Sequence, residues 1–183
     1  MSIQDLAAAI QATSLSTALK TASWVVPFLQ SIHIIMVGVV FVSILVVALR
    51  VLGRLRSDEP LLQVWNRFAP FLWTGIVLMA ITGSLLTIAE PVREFMTLSY
   101  RIKMILLVVG ITSAALFGRS VRRAARAATG AAALQPATGS VRFAAVVTLA
   151  LWLFIIFLGR AIAYDNSIWG GWSPTQSLGG AVT

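Results

Sequence analysis

The stretch WVVPFLQSIHIIMVGVVFVSILVVAL, Trp24–Leu49, runs without a single charged residue. A membrane-crossing helix needs about 20 apolar residues at about 1.5 Å rise each, so this stretch is long enough to cross. It also holds the only histidine of the chain, His33. An imidazole at membrane depth is costly unless something there pairs with it or uses it. The first feature sets lipid as the solvent. The second raises the question of function.

Composition agrees with a lipid solvent. The chain has 183 residues, 58% hydrophobic and 11% charged, with a mean hydropathy of +0.91. Soluble domains carry roughly 25% charged residues, which this chain does not approach. The net charge is +8, but the basic residues sit at the ends of apolar runs and form no nucleic-acid stripe. Membrane topology explains them, and no nucleic-acid partner is expected. The absence of cysteine excludes disulfides, iron–sulfur clusters and thiolate metal sites. The first twenty residues lack the basic start of a secretory signal, so the first apolar run is expected to stay in the mature protein.

Three further stretches match the first in length and polarity. The four spans are expected at residues 24–49, 68–89, 98–118 and 143–164. Arg101, Lys103 and Arg160 lie near span ends, where long basic side chains reach the headgroups. The fold class is therefore all-α, an integral membrane four-helix bundle. Its organisation reads as an N-terminal segment over 1–22, a transmembrane domain over 23–165 and a polar C-terminal tail over 166–183. Residues 3–19 place Ile3, Leu6, Ala7 and Ile10 at helical spacing. This reads as an amphipathic helix lying on the membrane surface, or as a frayed tail. The stretch Ala124–Ser140 reads as a small-residue linker punctuated by Gly130, Pro136 and Gly139.

Direction follows from the connections. Arg50, Arg54, Arg56 and Arg67 lie in the first; Arg119, Arg122, Arg123, Arg126 and Arg142 lie in the third. The opposite side has only Lys20, Arg93, Arg101, Lys103 and Arg160. The richer side is expected in the cytoplasm, which puts both termini in the periplasm. Trp24, Trp169 and Trp172 would mark the outer interface and Trp65 the inner one. The expected location is a bacterial inner membrane, crossed several times.

His33 lies about nine residues in from Trp24, hence about 13 Å deep. Lys103, Arg101 and Arg160 enter from the same side, and Glu90 closes the second span there. Tyr164 follows Arg160 by four residues on one helix face, with Asp165 beside them as a partner. A neutral imidazole can ligate haem iron, and nearby cations can pair with haem propionates. The set therefore reads as a cofactor site in the outer leaflet. His33 would be the axial or metal ligand, Lys103 and Arg160 the counter-cations, and Arg101 and Tyr164 flanking groups. A quinone could use the same imidazole. Copper could use His33 with Met36 three residues on. The plainer reading is that His33 bonds a carbonyl or Glu90 and locks helix packing, while Arg160 only anchors its helix end. No nucleophile elbow, phosphate loop or zinc motif is present, so the chain is not expected to be catalytic on its own.

Four strings carry a resemblance: WVVPFLQSIHIIMVG, RFAPFLWTGIVLMAITGSLLTIAEP, YRIKMILLVVG and LWLFIIFLGRAIAYD. Together they resemble a bacterial four-span family known only as a domain of unknown function. That family is similar in look to the membrane part of copper-resistance D proteins and to small b-type cytochrome membrane subunits. The resemblance covers about Trp24 to Asp165 and matches His33, Lys103 and Arg160. The chain departs from the family pattern at Ala48, Ser113 and Gly118, where the resemblance implies an acidic residue, an Asn and a His. The expectation is a small membrane subunit of a redox or respiratory system with a haem b or quinone site. It would work within a larger membrane complex or a homo-oligomer. The alternatives are a cofactor-free structural or assembly subunit, and a copper or small-solute transport component.

Overall fold

In the computed structural model, residues 2–128 and 137–174 are described. Among them every regular element is a helix. The order is α1 (Ile3–Gln11), α2 (Ser14–Thr21), α3 (Val25–Val51), α4 (Leu61–Ala89), α5 (Pro91–Met96), α6 (Leu98–Ala127), α7 (Gly139–Ala161) and α8 (Asp165–Trp169). The helices α3, α4 and α6, and α7 with the turns that continue it to Trp172, are each long and apolar enough to cross a membrane. The chain is thus an all-α membrane bundle. Hydrocarbon offers backbone groups no partners, so a helix that bonds its own amides is the form these apolar runs must take.

The second and third expected spans lie inside longer helices. The second begins at Leu61 rather than Phe68, and the third ends at Ala127 rather than Gly118. The reason is that hydropathy marks the crossing and not the helix. Leu61, Val64 and Trp65 are buried while Gln63, Asn66 and Arg67 are exposed. Val121 is likewise buried while Arg119, Arg122 and Arg123 are exposed. These are amphipathic extensions with their own apolar stripe.

The chain divides into two compact units. One is built from Met36–Val77 and Leu106–Ile155. Close helix approach in it depends on glycine. At Gly75 an added methyl would meet Val40 at 2.7 Å, and at Gly110 it would meet Ile155 at 2.7 Å. At Gly118 it would run into the Trp65 ring. Trp65, expected at an interface, is instead 3% exposed, with Arg122 5.9 Å above its ring. Ser113 and Thr148 share a hydrogen bond of 2.7 Å between helices. In the connection, Arg50 is fully buried and its Nε donates to the Glu59 carbonyl at 2.8 Å. The Glu59 carboxylate takes Arg56 and, at 3.2 Å, Arg67.

The other unit is built from Met1–Ile35, Leu78–Ile105 and Ile156–Thr183. Its N-terminal segment is helical because it is capped. The Asp5 amide donates to the Ser2 hydroxyl at 3.1 Å, and the Ser2 amide donates to the Asp5 carboxylate at 2.7 Å. That reciprocal pair satisfies two donors that a helix start leaves open. Both α1 and α2 form, and α1 packs against α5 over a fully buried Ala7.

The stretch read as a polar tail is helical from Asp165 to Trp172; residues 175–183 lie outside the described ones. Asp165 is the reason. It is 4% exposed, and its carboxylate accepts from the Leu98 amide at 3.1 Å, the Ser99 amide at 2.8 Å and the Ser173 hydroxyl. It caps the start of α6 from the end of the chain, where the helix dipole also favours a negative charge. Trp169 Nε1 donates to the Ser99 hydroxyl at 2.9 Å and closes the same junction. Asp165→Asn replaces one acceptor oxygen with an N–H donor facing other donors. It is expected to cost about 2 kcal/mol, read as a lower thermal unfolding midpoint in detergent.

Candidate cofactor-binding site

The unit that includes Leu78–Ile105 holds nearly all the chemistry. His33, half-buried on α3, points its Nδ1 at the Thr82 hydroxyl of α4, 2.9 Å away. That hydroxyl has one proton and also faces two backbone carbonyls, Leu78 at 2.8 Å and Met79 at 3.4 Å. A carbonyl can only accept. The threonine therefore donates to Leu78 and accepts from His33, which puts the imidazole proton on Nδ1. That leaves Nε2 as the unprotonated nitrogen, the form in which imidazole ligates a metal. Gly83 makes room for the ring: a methyl there would stand 3.2 Å from His33 Cε1. The site on α4 is thus the dipeptide Thr82-Gly83, which gives one hydroxyl for the ring nitrogen and no side chain against the ring edge.

Lys103 of α6 is the charge nearest in kind. It interacts electrostatically with both His33 and Glu94, and its Nζ lies 3.5 Å from where a methyl on Gly159 would be. Among the described residues no carboxylate is within 4 Å of it. A cation held in an apolar bundle without a close counter-ion is set to receive an acidic group. Thr87 and Tyr100 add a hydrogen bond of 3.1 Å between α4 and α6.

Glu94 lies on α5, between spans. Pro91 starts this short helix, where its missing N–H costs nothing. Arg101 Nε donates to the Phe95 carbonyl at 2.9 Å, fixing α5 against the start of α6. Burial pushes the Glu94 carboxyl above its ordinary value; Lys103 and Arg93 pull it down and Glu90 pushes it up again, but burial dominates. Glu90 itself pairs with Arg93 at 2.6 Å and does not bond His33.

Of the residues singled out in the sequence, His33 and Lys103 come into one electrostatic neighbourhood. Arg101 serves as a backbone tie. Arg160 is exposed and stacks on exposed Tyr164, with its guanidinium 5.2 Å from the ring centroid and 3.2 Å from the hydroxyl. Asp165, expected beside that pair, caps α6 instead. Met36 belongs to the other unit, built from Met36–Val77 and Leu106–Ile155. Sequence reading passed over Thr82, Gly83 and Glu94 as site residues. A hydroxyl next to a glycine in the second span was the available signal for the first two. For Glu94 the signal was an acid three residues after Pro91, too short a helix to show a period.

The fold and this cluster define the class: a multi-pass, all-helical membrane protein whose single histidine is hydrogen-bonded to a neighbouring helix. The chain belongs to the family of unknown function DUF6644, which matches residues 12–165. No curated protein and no solved structure matches it.

The sign of the Glu94 effect follows from its raised value. The uncharged carboxyl favours the folded chain, so its contribution is fully present below the ordinary value of 4.5 and is lost as pH rises through the raised one. As pH rises above 4.5, Glu94→Gln is therefore expected to lose less thermal stability than the wild type, as measured by unfolding midpoints at increasing pH.

Proposed function

We propose that the chain is a small membrane subunit of a redox system and that it binds haem b through His33. The observation that carries this reading is the 2.9 Å contact between His33 Nδ1 and the Thr82 hydroxyl, from which the proton position on the imidazole is inferred. With Nδ1–H committed to Thr82, Nε2 offers a lone pair and no proton. That suits iron. It does not suit the carbonyl of an oxidised quinone, which needs a donor, so a quinone takes second place. Lys103 would meet a propionate, and the bound group would supply one-electron transfer.

The donor set fits one axial bond. The chain has one histidine, so a second axial ligand would come from Met79, which is 9% exposed on α4, or from His33 of another copy. The fit is poorer for copper. Among the described residues no three His, Cys, Asp or Glu side chains gather, and Met36 is the only further donor read for it. In this reading the termini face the periplasm of a bacterial inner membrane, with the cofactor in the outer leaflet. A larger redox partner would accept or supply the electron.

The test is an absorbance spectrum of the protein purified from native membranes or loaded with haemin. The wild type is expected to show a Soret band, and His33→Ala to lose it. Lys103→Gln is expected to keep the band and to weaken haem binding. A wild type without a band after loading, or a band unchanged in His33→Ala, would contradict the assignment.

A further inference from the structure

The last turns of α6 carry Arg119, Arg122, Arg123 and Arg126, all exposed. The spacing i, i+3, i+4, i+7 puts them on one helix face. Among the described residues none of the four is in an ion pair. Arg122 lies over Trp65. The Glu59 carboxylate is taken by Arg56 and Arg67. Leu116, one turn before Arg119, is 53% exposed. The exposed surface of α6 therefore changes from apolar to cationic within a single turn.

A cavity of about 560 Å³ opens beside this ridge, in the same compact unit. Its lining includes apolar Leu61, Leu62 and Val141 and polar Arg123, Ser120 and Thr138. The Ser120 hydroxyl donates to the Leu116 carbonyl. Thr138 and Ser140 share one hydrogen bond of 3.4 Å, which leaves one of their two protons available. A guanidinium and hydroxyls together with leucine and valine in one lining match the junction of a phosphate diester with its acyl chains.

We infer that the arginine face of α6, centred on Arg123 and the adjoining cavity, is a binding site for the headgroup of an anionic phospholipid. The ridge supplies the attraction, and the cavity supplies a defined seat at the level where the helix leaves the apolar layer. A free phosphate would use the arginines and leave the apolar wall bare, so the lipid is the better match. Nothing in this assignment depends on His33 or a cofactor.

The experiment titrates the purified full chain in detergent with phosphatidylglycerol, phosphatidylcholine or inorganic phosphate and follows the thermal unfolding midpoint. Phosphatidylglycerol is expected to raise the midpoint, and the two other additions to leave it within a degree or so. Arg123→Gln is expected to weaken the apparent lipid affinity about fivefold, since a basic residue near an anionic surface contributes on that order. The pair Arg119→Gln with Arg126→Gln is expected to weaken it further, and Arg142→Gln, at an exposed position on α7, to leave it unchanged. An equal response to phosphatidylcholine, an equal response to inorganic phosphate, or undiminished affinity in both arginine variants would overturn the assignment.

Discussion

Hydrocarbon has no hydrogen-bond partners to offer, and everything in this molecule follows from that constraint. Backbone amides must bond within their own helices, so the apolar runs become long helices. Polar side chains must find partners on neighbouring helices or on their own backbone. Ser113 finds Thr148, and Thr87 finds Tyr100. His33 finds Thr82, whose own proton is already given to a carbonyl. That last arrangement sets the state of the histidine. The same rule that builds the bundle thus decides which nitrogen is available for chemistry.

The distribution of charge has a similar logic. Lys103 sits among apolar groups without a close carboxylate, and Glu94 sits half-buried on the short helix between spans. Neither is placed where packing alone would put it. The two interact at a distance, and each carries an electrostatic cost that a bound acidic or protonated group would relieve. Asp165 is the opposite case. Its carboxylate is fully used by two amides and a hydroxyl, so it stabilises the fold and leaves nothing over for a ligand.

Much of the fold was legible in the sequence. Runs free of charge, bounded by arginines, have few other solutions, so span number and helical class could be read directly. The helix ends could not, because Leu61–Arg67 and Arg119–Ala127 continue as amphipathic helix beyond the apolar layer. The site was legible in half. His33 and Lys103 stood out because ionisable groups at membrane depth are rare. Arg160 stood out for the same reason, yet its long side chain turns to Tyr164 at the exposed surface, which sequence spacing cannot distinguish from an inward pose. Thr82 and Gly83 were legible as an interhelical hydrogen-bonding group and a point of close approach, but not as site residues, because hydroxyls and glycines are common in membrane helices. Their role depends on which helix faces which, and spacing along one chain does not encode that.

The single histidine makes the central claim directly measurable. In protein labelled with nitrogen-15 histidine, in detergent or bilayer at neutral pH without added cofactor, only one imidazole contributes. The account expects Nδ1 to carry the proton and Nε2 to show the signal of an unprotonated ring nitrogen, with Thr82→Val releasing that preference. An Nε2-protonated ring in the wild type, or a doubly protonated one, would contradict it, because Nε2 would then have no lone pair ready for a ligand.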